Sequence, residues 1–250
     1  MGRRYPQRDV KLLWGLAAAR CAFPDCRQIC VEDATAADPA AVTGYVAHIE
    51  SHGDRGPRAN ASLVAAQRDS YDNWILLCGV HHPVVDKQET SYTAQDLRRW
   101  KADHERWVQA SLREAMPEVS FAELEVVTQA ITHSPAEPSV DFALTPPLAK
   151  MRRNELTKRV HFEMTIGLGK ANEVRQFVEH VAARDATFPE RLAAGFLAEY
   201  QGLRADGLTG DDLFAAMREF AGRRSTDFKM QAAGLAVLAY LFEKCEVFEK

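Results

Sequence analysis

At 250 residues, with 46% apolar and 26% charged side chains, the chain can bury two modest cores, which excludes disordered and fibrous classes. A formal net charge of −4 excludes a chain-wide cationic surface, so any nucleic acid must meet local basic patches. No run of about 18 uncharged apolar residues is present. The basic start Gly2-Arg3-Arg4 leads into an amphipathic stretch, so neither a membrane span nor a signal peptide is expected, and the cytoplasm is the expected compartment.

In chain order, Leu12, Leu13 and Leu16 give residues 10–20 helical spacing, running straight into Cys21. A strand is predicted over 28–31 after the Pro24-Asp25 turn, and a second over 42–49, followed by a Gly/Pro/Arg loop over 51–60. One or two helical turns are predicted over 62–69, a short buried strand at Trp74-Ile75-Leu76-Leu77, and a helix from Val80 onward. Thr93 reads as the N-cap of a long helix reaching toward Met116, with Arg98, Arg99, Lys101 and Arg106 on its polar face. The Pro/Ser/Thr-rich stretch 133–147 marks a domain boundary, and helices are predicted beyond it over 148–166, 171–184, 189–204, 211–221 and 228–243. The expected class is α+β: an N-terminal domain over 1–116, a helix and linker over 117–147, and an all-α domain over 148–250.

Four of the five cysteines, Cys21, Cys26, Cys30 and Cys78, crowd into the first third of the chain beside histidines. In a reducing compartment that pattern favours metal ligation over disulfides. Cys21-x4-Cys26 set against Cys78-x2-His81 supplies two pairs of soft ligands on two tight turns, which suits a structural Zn²⁺. The bland alternative is a set of buried thiols beside a surface histidine. Cys30, four residues beyond Cys26, stays open as a substitute ligand.

A second pattern overlaps the first: Ala47-His48-Ile49, a Gly/Arg loop, Asp72-Asn73, a four-residue apolar strand, then His81-His82-x3-Asp86. It resembles the HNH (ββα-metal) endonucleases over roughly residues 12–107. The resemblance implies that His48 is the general base, that Asn73 orients its imidazole through a side-chain amide, and that His82 is a metal-binding helix histidine. His82 and Asp86 lie four apart, so a helix presents both to one divalent ion, Mg²⁺ or Mn²⁺. His81 points elsewhere on that turn and is left for the zinc. Many members of the family carry Asp or His immediately before the base; this chain has Ala47, so its cation has one protein ligand fewer or takes a substitute such as Asp72 or a water.

Arg55 and Arg58 follow the base directly and either grip a phosphate or are solvated loop charges. Arg98 and Arg99, with Lys101 and Arg106, either track the backbone of double-stranded DNA or form a solvated face with Asp96, Asp103 and Glu105. His52 reads as a loop histidine, His104, His133, His161 and His180 as histidines without chemistry, and Trp74, Trp100 and Trp107 as packing residues. The stretch 235–249 is apolar on almost every side of a helix, so it must be buried in its own bundle or against another chain. It resembles the C-terminal domains of effector subunits in bacterial ABC three-component and Lamassu-type antiphage systems. That likeness implies homo-oligomerisation or docking onto subunits of an SMC-like ATPase complex. The two functional expectations are therefore a DNA endonuclease acting as a defence effector, and a zinc-stabilised, non-catalytic DNA- or protein-binding module that kept the fold. A metal-dependent RNase differs from the first only in substrate.

Overall fold

The computed structural model describes residues 5–132, 147–244 and 248 of the chain. The protein is α+β and mostly helical, with a small β region of two two-stranded antiparallel sheets. Two compact units divide it, Met1–Val108 and Gln109–Lys250.

The first unit opens with α1 (Gln7–Leu16), whose Leu12, Leu13 and Leu16 are buried. The helix stops four residues before the predicted end because Ala18 and Ala19 take left-handed φ values of 50° and 52°. That reversal puts Arg20 opposite Ile29 in an isolated antiparallel bridge and carries Cys21 into the interior. Of the strand expected over 28–31, only the end enters a ladder: β1 (Val31–Glu32) pairs with β2 (Ala41–Val42). Thr43 separates β2 from β3 (Gly44–His48), so the stretch read as one strand over 42–49 is two.

β3 pairs antiparallel with β4 (Trp74–Cys78), placing His48 opposite Trp74 and Gly44 opposite Cys78. All of β4 is buried, as its unbroken apolar run demands. The short helix α2 (Ala65–Arg68) lies in the connection between these strands, and α3 (His81–Lys87) follows β4 within two residues. Next comes α4 (Ala94–Ala115), opened by reciprocal hydrogen bonds in which Thr93 Oγ1 accepts from the Asp96 N–H and Asp96 Oδ2 accepts from the Thr93 N–H, both 3.2 Å. α4 contributes residues to both units: Leu97 and Trp100 pack in the first core, Ala115 in the second.

His104, on α4, is a buried packing residue. Its Nε2–H donates to the Ala17 carbonyl at 2.9 Å while Arg27 donates to its Nδ1, so the ring is held neutral in one tautomer. Burial pushes its pKa down to about 4. The unfolded chain takes up a proton near pH 6.5 that the folded chain refuses, so this contribution is complete above pH 6.5 and is lost toward pH 4. Urea unfolding at pH 7 and pH 4.5 is expected to show a stability loss up to about 3 kcal/mol larger for wild type than for His104→Gln. Equal pH dependence in the two proteins would remove His104 as the cause.

The second unit is all helix: α5 (Phe121–Thr132), α6 (Pro147–Arg153), α7 (Lys158–Leu168), α8 (Ala171–Ala182), α9 (Phe188–Ala205), α10 (Gly210–Ala221) and α11 (Phe228–Lys244). The helix predicted over 148–166 is broken into α6 and α7, with Glu155 left-handed between them at φ 55°. The predicted boundary stretch lies outside the described residues except for Pro147, which opens α6. α11 is buried from Ala232 through Ala239 and again at Leu241 and Phe242. It packs against α5, α7, α8 and α10, so the bundle itself covers the apolar helix. A Cβ at Gly234 would lie 2.3 Å from the Gly222 nitrogen, so only glycine admits this approach of α11 to the end of α10. Among the described residues, no helix is long and apolar enough to cross a membrane.

Candidate metal clasp and active-site cleft

The reversal at Ala18-Ala19, the left-handed residues Asp25 and Arg27, and the tight step from β4 into α3 bring Cys21, Cys26, Cys78 and His81 together. Their ligand atoms all lie within 4.8 Å of one another. His81 Nδ1 is 3.3 Å from Cys78 Sγ and 3.7 Å from Cys21 Sγ. With Zn–S of about 2.3 Å and Zn–N of about 2.0 Å, tetrahedral donors sit roughly 3.3–3.8 Å apart, so this group can hold an ion such as zinc. Phe23 stacks on the His81 ring at 3.9 Å and 3°, fixing its plane.

One ligand of the group resists ionisation by itself, and two are poised to donate. Burial pushes the Cys21 thiol far up. Burial acts the same way on Cys78, but the N–H groups of His81 and Val80 and hydrogen bonds from Cys21 and Cys26 outweigh it and hold that thiol below its usual value. Burial holds His81 below the usual imidazole range, leaving it neutral with a lone pair to donate. Cys30 stands outside the group. It is fully buried, pushed up to about 12 by that burial, and packed so closely under β3 that a Cβ at Gly44 would lie 2.5 Å from its own Cβ.

The cleft forms where β3 ends and α3 begins. A space of about 160 Å³ is lined by His48, Ser51, His52, Arg58, His82 and Asp86, among others. His48, His82 and Asp86, predicted as base and metal ligands, thus face one cleft. His82 Nε2 lies 3.4 Å from Asp86 Oδ2 one turn on, and its ring stacks on Tyr45 at 5.1 Å. Burial would raise the Asp86 carboxyl, but hydrogen bonds from His82 and Arg58 and their charges keep it below the usual carboxylate range.

Two expected roles change. Asn73 does not orient His48. Its amide donates to the carbonyls of Glu50 (2.7 Å) and Arg68 (3.0 Å) and accepts the Glu50 N–H (3.0 Å), fastening the start of β4 to both ends of the long loop. The imidazole is held instead by Asp69, which accepts from His48 Nε2 at 2.9 Å and from His52 Nδ1 at 3.1 Å. Burial would raise Asp69, but these two hydrogen bonds and the charges of both rings hold it below the usual range. Arg58 is no phosphate grip. Only 5% exposed, its guanidinium donates to the carbonyls of Ile49 (2.7 Å), Val85 (2.6 Å) and His48 (3.2 Å) and pairs with Asp86 Oδ1 (2.6 Å), tying the end of β3 to α3.

Asp72 is exposed and lines a separate shallow pocket with Arg98 and Lys101, so it does not replace a ligand at Ala47. Ala47 itself is fully buried in the first core. Among the remaining arginines, Arg55 is exposed, Arg98 pairs with Glu50, and Arg99 pairs with Asp96 at 2.7 Å. Asp69 and His52 were absent from the predicted site. The four-residue spacing from His48 to His52 is visible in the sequence; nothing near Asp69 marks it. No protein-family model matches this sequence, and no curated protein is found to be similar to it.

Proposed function

We propose that the first unit is a metal-dependent endonuclease of the HNH type, hydrolysing phosphodiester bonds of double-stranded DNA. The observation that carries this reading is that His48, His82 and Asp86 line one cleft beside a clasp able to hold zinc. In this reading His48 takes the proton of the attacking water. The Asp69 carboxylate fixes its ring and offsets the positive charge the ring then acquires. His82 and the Asp86 oxygen not used by Arg58 would hold Mg²⁺ or Mn²⁺. The donor set of one imidazole and one carboxylate fits such an ion with water or phosphate oxygens completing its shell. When bound, the ion would neutralise charge building on the phosphate and the leaving oxygen. The clasp shares α3 with this site, since His81 and His82 are adjacent, and so would fix the helix that carries His82.

The effector role in a bacterial antiphage complex rests on the likeness of the C-terminal stretch alone. The apolar helix behind that likeness is covered within its own bundle, so docking onto SMC-like ATPase subunits, or onto a second copy, would use other residues. The buried Ala47 and the inward-turned Arg58 favour a second reading, a zinc-stabilised binding module without turnover.

Supercoiled plasmid incubated with the zinc-filled chain separates the two. Nicking that needs added Mg²⁺ or Mn²⁺ is expected, with His82→Ala raising the metal concentration required by about tenfold or more. DNA retained but never cut, under either ion, would favour the binding module.

A further inference from the structure

We propose that His48, His52 and Asp69 form a second metal site, selective for a transition-metal ion and distinct from the thiolate clasp. Three independent elements meet there: the last residue of β3, the loop after it, and the residue following α2. Their ligand atoms lie within 4.8 Å of one another, and the Asp69 carboxylate stands 2.9 Å from His48 Nε2 and 3.1 Å from His52 Nδ1. Donors around a tetrahedral zinc-sized ion sit roughly 3.3 Å apart, so the two histidine–carboxylate distances need open by only a few tenths of an ångström.

The surrounding backbone is fastened in a way that holds them. Arg68 donates to the carbonyl of His52 at 2.8 Å and to that of Leu63 at 2.9 Å, while Asn73 donates to the carbonyl of Arg68 at 3.0 Å. The loop bearing His52 and the segment bearing Asp69 are thereby tied to the start of β4. His48 and His52 also line the open cleft, so water or a phosphate oxygen can complete the shell.

Two imidazoles and one carboxylate select borderline ions such as Zn²⁺, Ni²⁺ or Co²⁺ over Mg²⁺, Ca²⁺ and Mn²⁺, which favour oxygen-rich shells. Binding requires the Nδ1–H tautomer of His48 and the Nε2–H tautomer of His52, turning one lone pair of each toward the centre; neutral rings reach these without net proton loss. The site stands apart from the nuclease reading. Under that reading it adds a consequence: an ion on His48 holds the base out of use, so Zn²⁺ would inhibit cleavage supported by Mg²⁺.

Full-length protein with its clasp filled by zinc is equilibrated with Ni²⁺, and both metals are counted per chain. One Ni²⁺ beyond an unchanged zinc content is expected. His52→Ala and Asp69→Asn should each weaken it by more than about tenfold, and His82→Ala by less than about twofold. Far-UV circular dichroism and retained zinc report that the variants fold. His52 has a 40% exposed side chain, so its variant decides the matter even where Asp69→Asn is unstable. No Ni²⁺ beyond the zinc, or Ni²⁺ lost with His82→Ala yet kept with His52→Ala, overturns the proposal; the three groups are then only a carboxylate bridging two rings. The count needs no cleavage, so an inactive chain that binds Ni²⁺ keeps this site and sinks the nuclease reading alone.

Discussion

Cys78→Ser is expected to abolish zinc binding and unfold the first unit at room temperature while the helical unit persists. Cys78 joins the β3–β4 hairpin to α3, and its Sγ lies 3.3 Å from His81 Nδ1. A structural zinc contributes on the order of 10 kcal/mol or more in small metal-dependent folds, comparable to the whole stability of a domain, about 5–15 kcal/mol. The variant would also keep two thiols, Cys21 and Cys26, crowded beside the half-buried His81 ring without an ion to bind them. All four tryptophans, Trp14, Trp74, Trp100 and Trp107, lie in the first unit, so their fluorescence reports that unit alone. The expected result is a red-shifted emission already at 25 °C, with far-UV helical signal from the second unit retained. Cys30→Ala is the matched comparison: a buried cysteine outside the ligand group, whose loss should leave zinc content unchanged. Native emission and full zinc content in Cys78→Ser would contradict the clasp.

Arg58→Ala is the second large effect. One guanidinium, 5% exposed, satisfies three backbone carbonyls and one carboxylate, from the end of β3 and from α3. Removing it leaves the carbonyls of His48, Ile49 and Val85 without this donor and Asp86 with His82 alone of the two partners. Leaving three carbonyls without a donor and breaking a partly exposed ion pair costs about 3 kcal/mol. The tryptophan-detected Tm should fall by more than about 10 °C. Arg58→Lys should recover less than half of the loss, because one ammonium cannot span four acceptors on both sides of the cleft. Arg55→Ala, at an exposed position in the same loop, should change stability by less than about 0.5 kcal/mol. An Arg58→Ala protein melting with wild type would mean that the clamp does not hold β3 to α3.

The contrast between Arg55 and Arg58 shows what can be read from sequence and what cannot. Periodicity and unbroken apolar runs locate β4, α3 and most of the helical bundle, because burial of a face or of a whole strand leaves a repeating mark. Ligand spacing locates the clasp, since two short turns bring their donors together whatever the rest of the chain does. The loop between β3 and β4 has no such repeat. Its path is set by guanidinium contacts to backbone carbonyls, from Arg58 to residues 48, 49 and 85 and from Arg68 to residues 52 and 63. Any residue can supply a carbonyl, so those contacts leave no sequence pattern, and Asp69 reaches His48 from twenty-one residues away unannounced. The early end of α1 is hidden for a related reason: alanine at 18 and 19 favours helix locally, and only the need to turn toward the clasp sets it left-handed.

The proposed nuclease requires that the imidazole at 48 perform chemistry on DNA. Supercoiled plasmid with Mg²⁺ or Mn²⁺, treated with wild-type chain and with His48→Ala at matched zinc content and matched DNA binding, tests it directly. Nicked or linear product is expected from wild type, and a rate at least about a hundredfold lower from His48→Ala with DNA binding intact. Equal cleavage by the two proteins, or none by wild type under either ion, would contradict it.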